Sequence, residues 1–207
     1  MDTAAPSPSI ARTMLSKVPE VTIFFWIIKI LATTVGETFA DYINETLGFG
    51  LTKTTWVMTA LLVVALFFQF RARRYVPALY WIVVVFISVV GTLITDNLTD
   101  GHNVPLKLTT AVFAVLLAIV FVLWYRQEGT LSIHSIDTPK REAWYWLAIL
   151  VTFSLGTAAG DLISESFNLG YWKSILLFGG LIGIVVIATF VFKLNRVLAF
   201  WAAYILT

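Results

Sequence analysis

The sequence predicts an all-α, polytopic transmembrane helix bundle built from parallel tandem two-helix repeats. Three observations predict it. The chain is 59% hydrophobic and only 13% charged over 207 residues, against about 25% charged in a typical soluble domain. Its apolar residues fall in long blocks at 56–68, 81–90, 111–124 and 175–192 that contain almost no charge. Tryptophans, glycines and acids recur in a fixed register along the chain.

About 20 apolar residues at roughly 1.5 Å each cross a hydrocarbon core of about 30 Å; six segments approach or exceed that length and a shorter seventh follows them. The tail before the first one carries Pro6, Ser7 and Pro8 but no short apolar core with a small-residue cleavage site. It is therefore not a signal peptide, and the first segment, 19–47, is retained as a membrane helix. The second, 53–71, is almost uniformly apolar and ends at Arg71. The third, 76–100, starts beyond Arg73 and Arg74 and ends in Asp96 and Asp100. The fourth, 105–125, stops before Arg126. The fifth, 140–167, begins at Lys140 and Arg141 and ends in Asp161 and Glu165. The sixth, 172–193, stops at Lys193, and a seventh runs from Arg196 to Thr207.

Basic residues orient the bundle. Arg12, Lys17, Arg71, Arg73, Arg74, Arg126, Lys140, Arg141, Lys193 and Arg196 fall on one side, and only Lys53, Lys107 and Lys173 on the other. Cytoplasmic loops collect Lys and Arg, so the N-terminus is expected to be cytoplasmic. The Arg71–Arg74 cluster then enforces topology, with anionic lipid as a secondary contact.

Aromatic–Trp pairs stand at Phe25-Trp26, Tyr80-Trp81, Tyr145-Trp146 and Phe200-Trp201. In the first three units a glycine follows ten residues after the Trp (Gly36, Gly91, Gly156), then an aspartate after five (Asp41, Asp96, Asp161), then an acid after four (Glu45, Asp100, Glu165). The steps between units are 55, 65 and 55 residues. The expected organisation is a cytoplasmic tail at 1–17, a first half at 18–126 holding repeats one and two, a cytoplasmic linker at 127–140, and a second half at 141–207 holding repeat three and a truncated repeat four. A complete chain is expected to have eight helices.

This register resembles that of bacterial membrane proteins made of four tandem repeats of unknown function, each with two transmembrane segments and a characteristic tryptophan. The closest likeness runs from Lys17-Val18-Pro19-Glu20 through Asp41, and the resemblance covers most of 17–207. It implies the fold and a bacterial plasma-membrane location, and no activity.

Residues four apart share a helix face. Asp41 with Glu45, Asp96 with Asp100 and Asp161 with Glu165 are therefore carboxylate pairs, and Glu37 lies one turn deeper than Asp41. Thr38, Thr92, Thr95, Ser154, Thr157 and Asn97 add neutral oxygens nearby. Such a set suits hard cations, Mn²⁺ included. Glu37, Asp41, Asp96 and Asp161 are the candidate metal ligands. Gly36, Gly91, Gly156 and Gly160 are expected to let helices approach. Acids at helix ends also simply face water, a reading that weighs most for Glu45, Asp100 and Glu165. Lys29 lies mid-helix, as a counter-charge to Glu37 or a substrate-linked charge, or else snorkels to the boundary. The four Trp are expected to anchor or pack, and His102 to be a solvated loop residue.

No cysteine is present, which excludes disulfides and thiol chemistry. No Ser–His or His–Glu motif and no phosphate-binding G-x-x-x-x-G-K-[ST] loop occurs, so neither an enzyme nor ATP drive is expected. No cofactor and no nucleic-acid partner is expected; membrane lipids and a small inorganic cation are. The leading expectation is a proton-coupled secondary transporter of divalent cations such as Mn²⁺. Its rivals are a non-transporting lipid-binding, sensing or assembly module, and an organic-ion carrier in which Lys29 meets an anionic group.

Overall fold

Helix starts are written into the chain. The Thr22 and Thr138 hydroxyls accept from the amides of Phe25 and Arg141, and the Asn195 side chain accepts from those of Val197 and Leu198. Pro77 and Pro139 sit in first turns, where a missing N–H costs nothing. In the computed structural model, which describes residues 16–207 (Tyr171 by its backbone alone), these signals open helices that agree with the sequence-derived edges to within four residues once the π-helical turns that extend the first and third are counted. They are α1 (Ile23–Asp41), α2 (Leu51–Arg71), α3 (Pro77–Asp96), α4 (Leu106–Glu128), α5 (Pro139–Phe167), α6 (Gly170–Phe190) and α7 (Arg196–Leu206). Among the described residues there is no strand. Six helices are long and apolar enough to cross a membrane, α7 being shorter.

Two helices change winding at their ends. α1 continues as a π-helical turn over Tyr42–Thr46 and α3 as another over Asn97–Gly101, each directly after the repeat aspartate. α5 runs as α-helix past the equivalent Asp161.

Short connections make consecutive helices antiparallel. One end of the bundle thus collects the arginine-bearing loops and the other the acidic helix ends. The packing follows the repeat. α1 packs on α3, α3 on α5 and α5 on α7, while α2, α4 and α6 each lie against the odd helix that follows. Glycines set the closest crossings. A Cβ at Gly36 would collide with Ser88 Oγ, and one at Gly91 would lie 2.7 Å from Phe153 Cβ and 3.2 Å from the Ser154 amide nitrogen. One at Gly156 would face Ile205 O at 3.6 Å, a looser approach, and Gly160 has open space. Polar bonds accompany the α3–α5 crossing: Ser154 Oγ donates to Gly91 O (3.1 Å) and Thr95 Oγ1 to Ser154 O (3.0 Å).

The four aromatic–Trp pairs close this arrangement into a ring. Within each pair the two rings meet edge-on or nearly so, 5.0–5.2 Å apart. Between pairs, the first aromatic of each unit meets the Trp of the next. Phe25 meets Trp81 (5.6 Å), Tyr80 meets Trp146 (5.4 Å), Tyr145 meets Trp201 (6.3 Å), and Phe200 returns to Trp26 (5.7 Å). The repeats therefore stand around one pseudo-fourfold axis, with odd helices inside. Tyr80 and Tyr145 hydroxyls bond at 2.6 Å, and Trp201 Nε1 donates to Leu131 O of the loop beneath. Of the two expected roles for these tryptophans, packing is the one they fill.

The basic end is more structured than the expected tail and linker. Residues 1–15 lie outside the described residues, but Lys17 is buried. Its backbone N–H donates to Ile136 O, and its ammonium bonds Glu142 Oε2 at 2.7 Å and Phe70 O at 3.1 Å. Gln69 Nε2 donates to Glu142 Oε1 (2.9 Å). The 127–140 segment carries the end of α4, which Gly129 caps in the left-handed region (φ 69°), and it buries Ile133 and Ile136. Lys140 and Arg141 are not free loop charges, since both pair with Glu128.

Candidate functional site

Successive turns of the odd helices stack as layers along the pseudo-axis. Above the aromatic ring come Lys29 with its repeat equivalents Val84, Ile149 and Tyr204, all buried. Thr33, Ser88 and Phe153 follow, then Glu37, Thr92 and Thr157, then Asp41, Asp96 and Asp161. Toward the acidic end the odd helices enclose a cavity of about 470 Å³. At roughly 30 Å³ per molecule of liquid water, that is room for about fifteen waters.

Glu37, Asp41, Asp96 and Asp161 all line this cavity, with Glu45 and Asp100 nearer its mouth. They come from three repeats. Glu37, Asp41 and Asp161 are exposed and Asp96 is half-buried, so water can hydrate them. Across the middle layer Thr92 and Thr157 bond through their hydroxyls at 3.1 Å.

Five predicted members are elsewhere. Thr95 and Ser154 are buried and bonded across the α3–α5 crossing. Thr38 does not line the cavity, being one residue and about 100° beyond Glu37, and its hydroxyl donates to Thr34 O. Asn97 is likewise one residue beyond Asp96. Its amide donates to Thr55 Oγ1 and Leu93 O, both at 2.7 Å, tying α3 to α2. Glu165 lines a separate, shallower recess with Asp100, Asn103 and Lys107. His102 bonds locally, its Nδ1–H donating to Asn97 O at 2.6 Å.

The four candidate metal ligands share the cavity without sharing a coordination sphere. Among the described residues no three Asp, Glu or His side chains lie close enough to hold a metal ion. Individual carboxylates separated in this way can each meet a different part of a larger solute.

Lys29 sits at the cavity floor. It does not snorkel, being completely buried. Nor does it pair with Glu37: among the described residues Nζ has no hydrogen-bond partner. Its neighbours are the rings of Tyr204 (4.7 Å to the centroid) and Phe153 (5.0 Å). The cavity thus has a cationic, aromatic floor and acidic walls. Tyr204 and Phe153 carry no charge, and their part in the site was hidden in the sequence. Their shared register with Lys29 and Ser88 is the signal that could have found them.

The family model described as Repeat of Unknown Function (DUF347) matches residues 24–75, 79–130 and 144–195. The matches begin in steps of 55 and 65 residues, from 24 to 79 and from 79 to 144, the same steps as the aromatic–Trp register. No curated protein and no solved structure matches the chain.

Proposed function

We propose, from the premise that the chain belongs to the family of tandem repeats of unknown function DUF347, that it is a secondary transporter whose cavity takes a small cationic solute. The observation that carries this reading is the gathering of Glu37, Asp41, Asp96 and Asp161, from three repeats, on one open cavity above the closed aromatic ring. Lipid-facing carboxylates at this depth would be costly, whereas cavity-lining ones stay hydrated or bind a cation. Like charges that share one cavity repel, so a proton carried by one of these acids is exchangeable for an arriving cation, which couples transport to a proton gradient.

The separation of the acids favours an organic cation over a bare metal ion. Hard divalent cations demand about six oxygens within roughly 2.0–2.6 Å. Mn²⁺ transport would need the odd helices to close until the carboxylates converge. By the distribution of Lys and Arg, the N-terminus is cytoplasmic and the cavity opens outward. Nothing in this reading calls for catalysis or a cofactor.

Uptake of Mn²⁺, Mg²⁺, Ca²⁺ and small alkylamines into liposomes holding the purified protein tests the proposal. At least one should move, and Asp41→Asn and Asp161→Asn should abolish its flux while inserting normally. No flux from the parent, or flux of every probe unchanged in both variants, leaves the non-transporting module as the reading. Orientation is tested separately by labelling single cysteines at Asn103 and Thr138 on intact cells. Labelling of position 138 rather than 103 from outside would reverse it.

A further inference from the structure

Lys29 is a charged group with no evident structural need. The equivalent positions Val84 and Ile149 show that this layer packs well with aliphatic side chains. A buried ammonium without a hydrogen bond is strongly disfavoured, and contact with two aromatic rings offsets only part of that cost. Glu37 lies two turns away and makes no hydrogen bond to it. The ring of Tyr204, at the equivalent position of the fourth repeat, faces the Lys29 ammonium, and both residues line the same cavity. An orphaned ammonium flanked by the Tyr204 and Phe153 rings therefore stands at the cavity floor.

We infer that this floor binds the carboxylate of the transported solute, so that the substrate class is a small amino-carboxylate zwitterion. The inference deepens the cation-transport reading and rests on it. The Lys29 ammonium donates to the carboxylate oxygens, which supplies the partner and the counter-charge it lacks. The amine of the same molecule reaches up to Glu37, Asp41, Asp96 or Asp161. A phosphate would bring a second negative charge into an acid-lined chamber, which favours a carboxylate. The separation of charge along the axis also accounts for a cavity with opposite signs at its floor and walls: a zwitterion oriented one way is attracted at both ends, and reversed it is repelled at both.

The test uses matched pairs of probes, each a straight-chain ω-amino acid of two to six carbons and the amine that lacks only its carboxylate. Binding is measured by calorimetry and movement by counterflow in liposomes, with the full chain throughout. The parent should bind at least one amino acid about tenfold or more tighter than its amine, the scale of a buried charge-assisted hydrogen bond. Lys29→Met should erase that preference while keeping amine binding. Amines that bind and move as well as their amino acids in the parent would overturn the inference and leave the transporter standing. A preference that survives Lys29→Met would overturn it as well. Binding of neither class by the parent would overturn the inference, and the transporter reading would then stand or fall on the metal-ion fluxes.

Discussion

Lys17 and Glu142 form a buried ion pair far apart in sequence, braced by Gln69 and by the Phe70 carbonyl. Such a pair is a weak source of net stability, but removing one member leaves the other charged in an apolar setting, at a cost of about 3–5 kcal/mol. Glu142→Leu should therefore lower the thermal midpoint in detergent sharply. Combining it with Lys17→Met should recover much of the loss, because no uncompensated charge remains. Equal midpoints for single and double variants would deny the pairing. Neither residue stood out in the sequence, where Lys17 is one basic residue among many before the first helix. The acids at the cavity were legible, since three repeats carry them at one register. The orphaned state of Lys29 was not, because it depends on which rings surround its ammonium.

Among the helices, contact distance separates glycines that look alike in sequence. At Gly91 a Cβ would stand 2.7 Å from Phe153 Cβ and 3.2 Å from a backbone nitrogen, which cannot rotate away. At Gly160 it would meet nothing within 4 Å. Gly91→Ala should destabilise the protein by about 1–3 kcal/mol, the range for overpacking a filled interior. Gly160→Ala should be neutral or mildly stabilising, since alanine is the better helix former by about 1 kcal/mol. Thermal midpoints of the two variants in one detergent check this, and the reverse order would mean that α3 and α5 do not cross at Gly91. The even helices follow the same logic with polar contacts. Thr55 and Thr110, equivalent in the repeat, each bond the next odd helix, at Asn97 and at Ala158 O. The π-turns after Asp41 and Asp96 had no sequence signature, because winding is decided by how each helix end meets its neighbours.

At the scale of the whole molecule, the aromatic ring joins four repeats whose helices touch mainly in sequence order. Trp146 is buried in it, between Tyr80 and Tyr145, whereas Trp172 on α6 is 81% exposed. Trp146→Ala should cost about 3–5 kcal/mol, as for other large buried aromatics, and Trp172→Ala should change stability by no more than about 0.5 kcal/mol. Denaturation of both variants in the same detergent measures the difference. A small loss for Trp146 would mean that the ring is not what closes the cavity floor.

The periodic content of the chain, by itself, determined the helices, their alternating direction, the repeat and the set of acids. These follow from local hydrophobicity and register, which any segment carries with it. Only the tertiary structure decided that the repeats close around an axis, that the acids share a cavity without sharing a metal site, and that Thr38 and Asn97 turn away from it. It alone buried Lys17 and left Lys29 and Tyr204 without partners. Those outcomes depend on which side chains from distant segments meet, and a repeat register fixes equivalence between units but not the contacts that each unit makes.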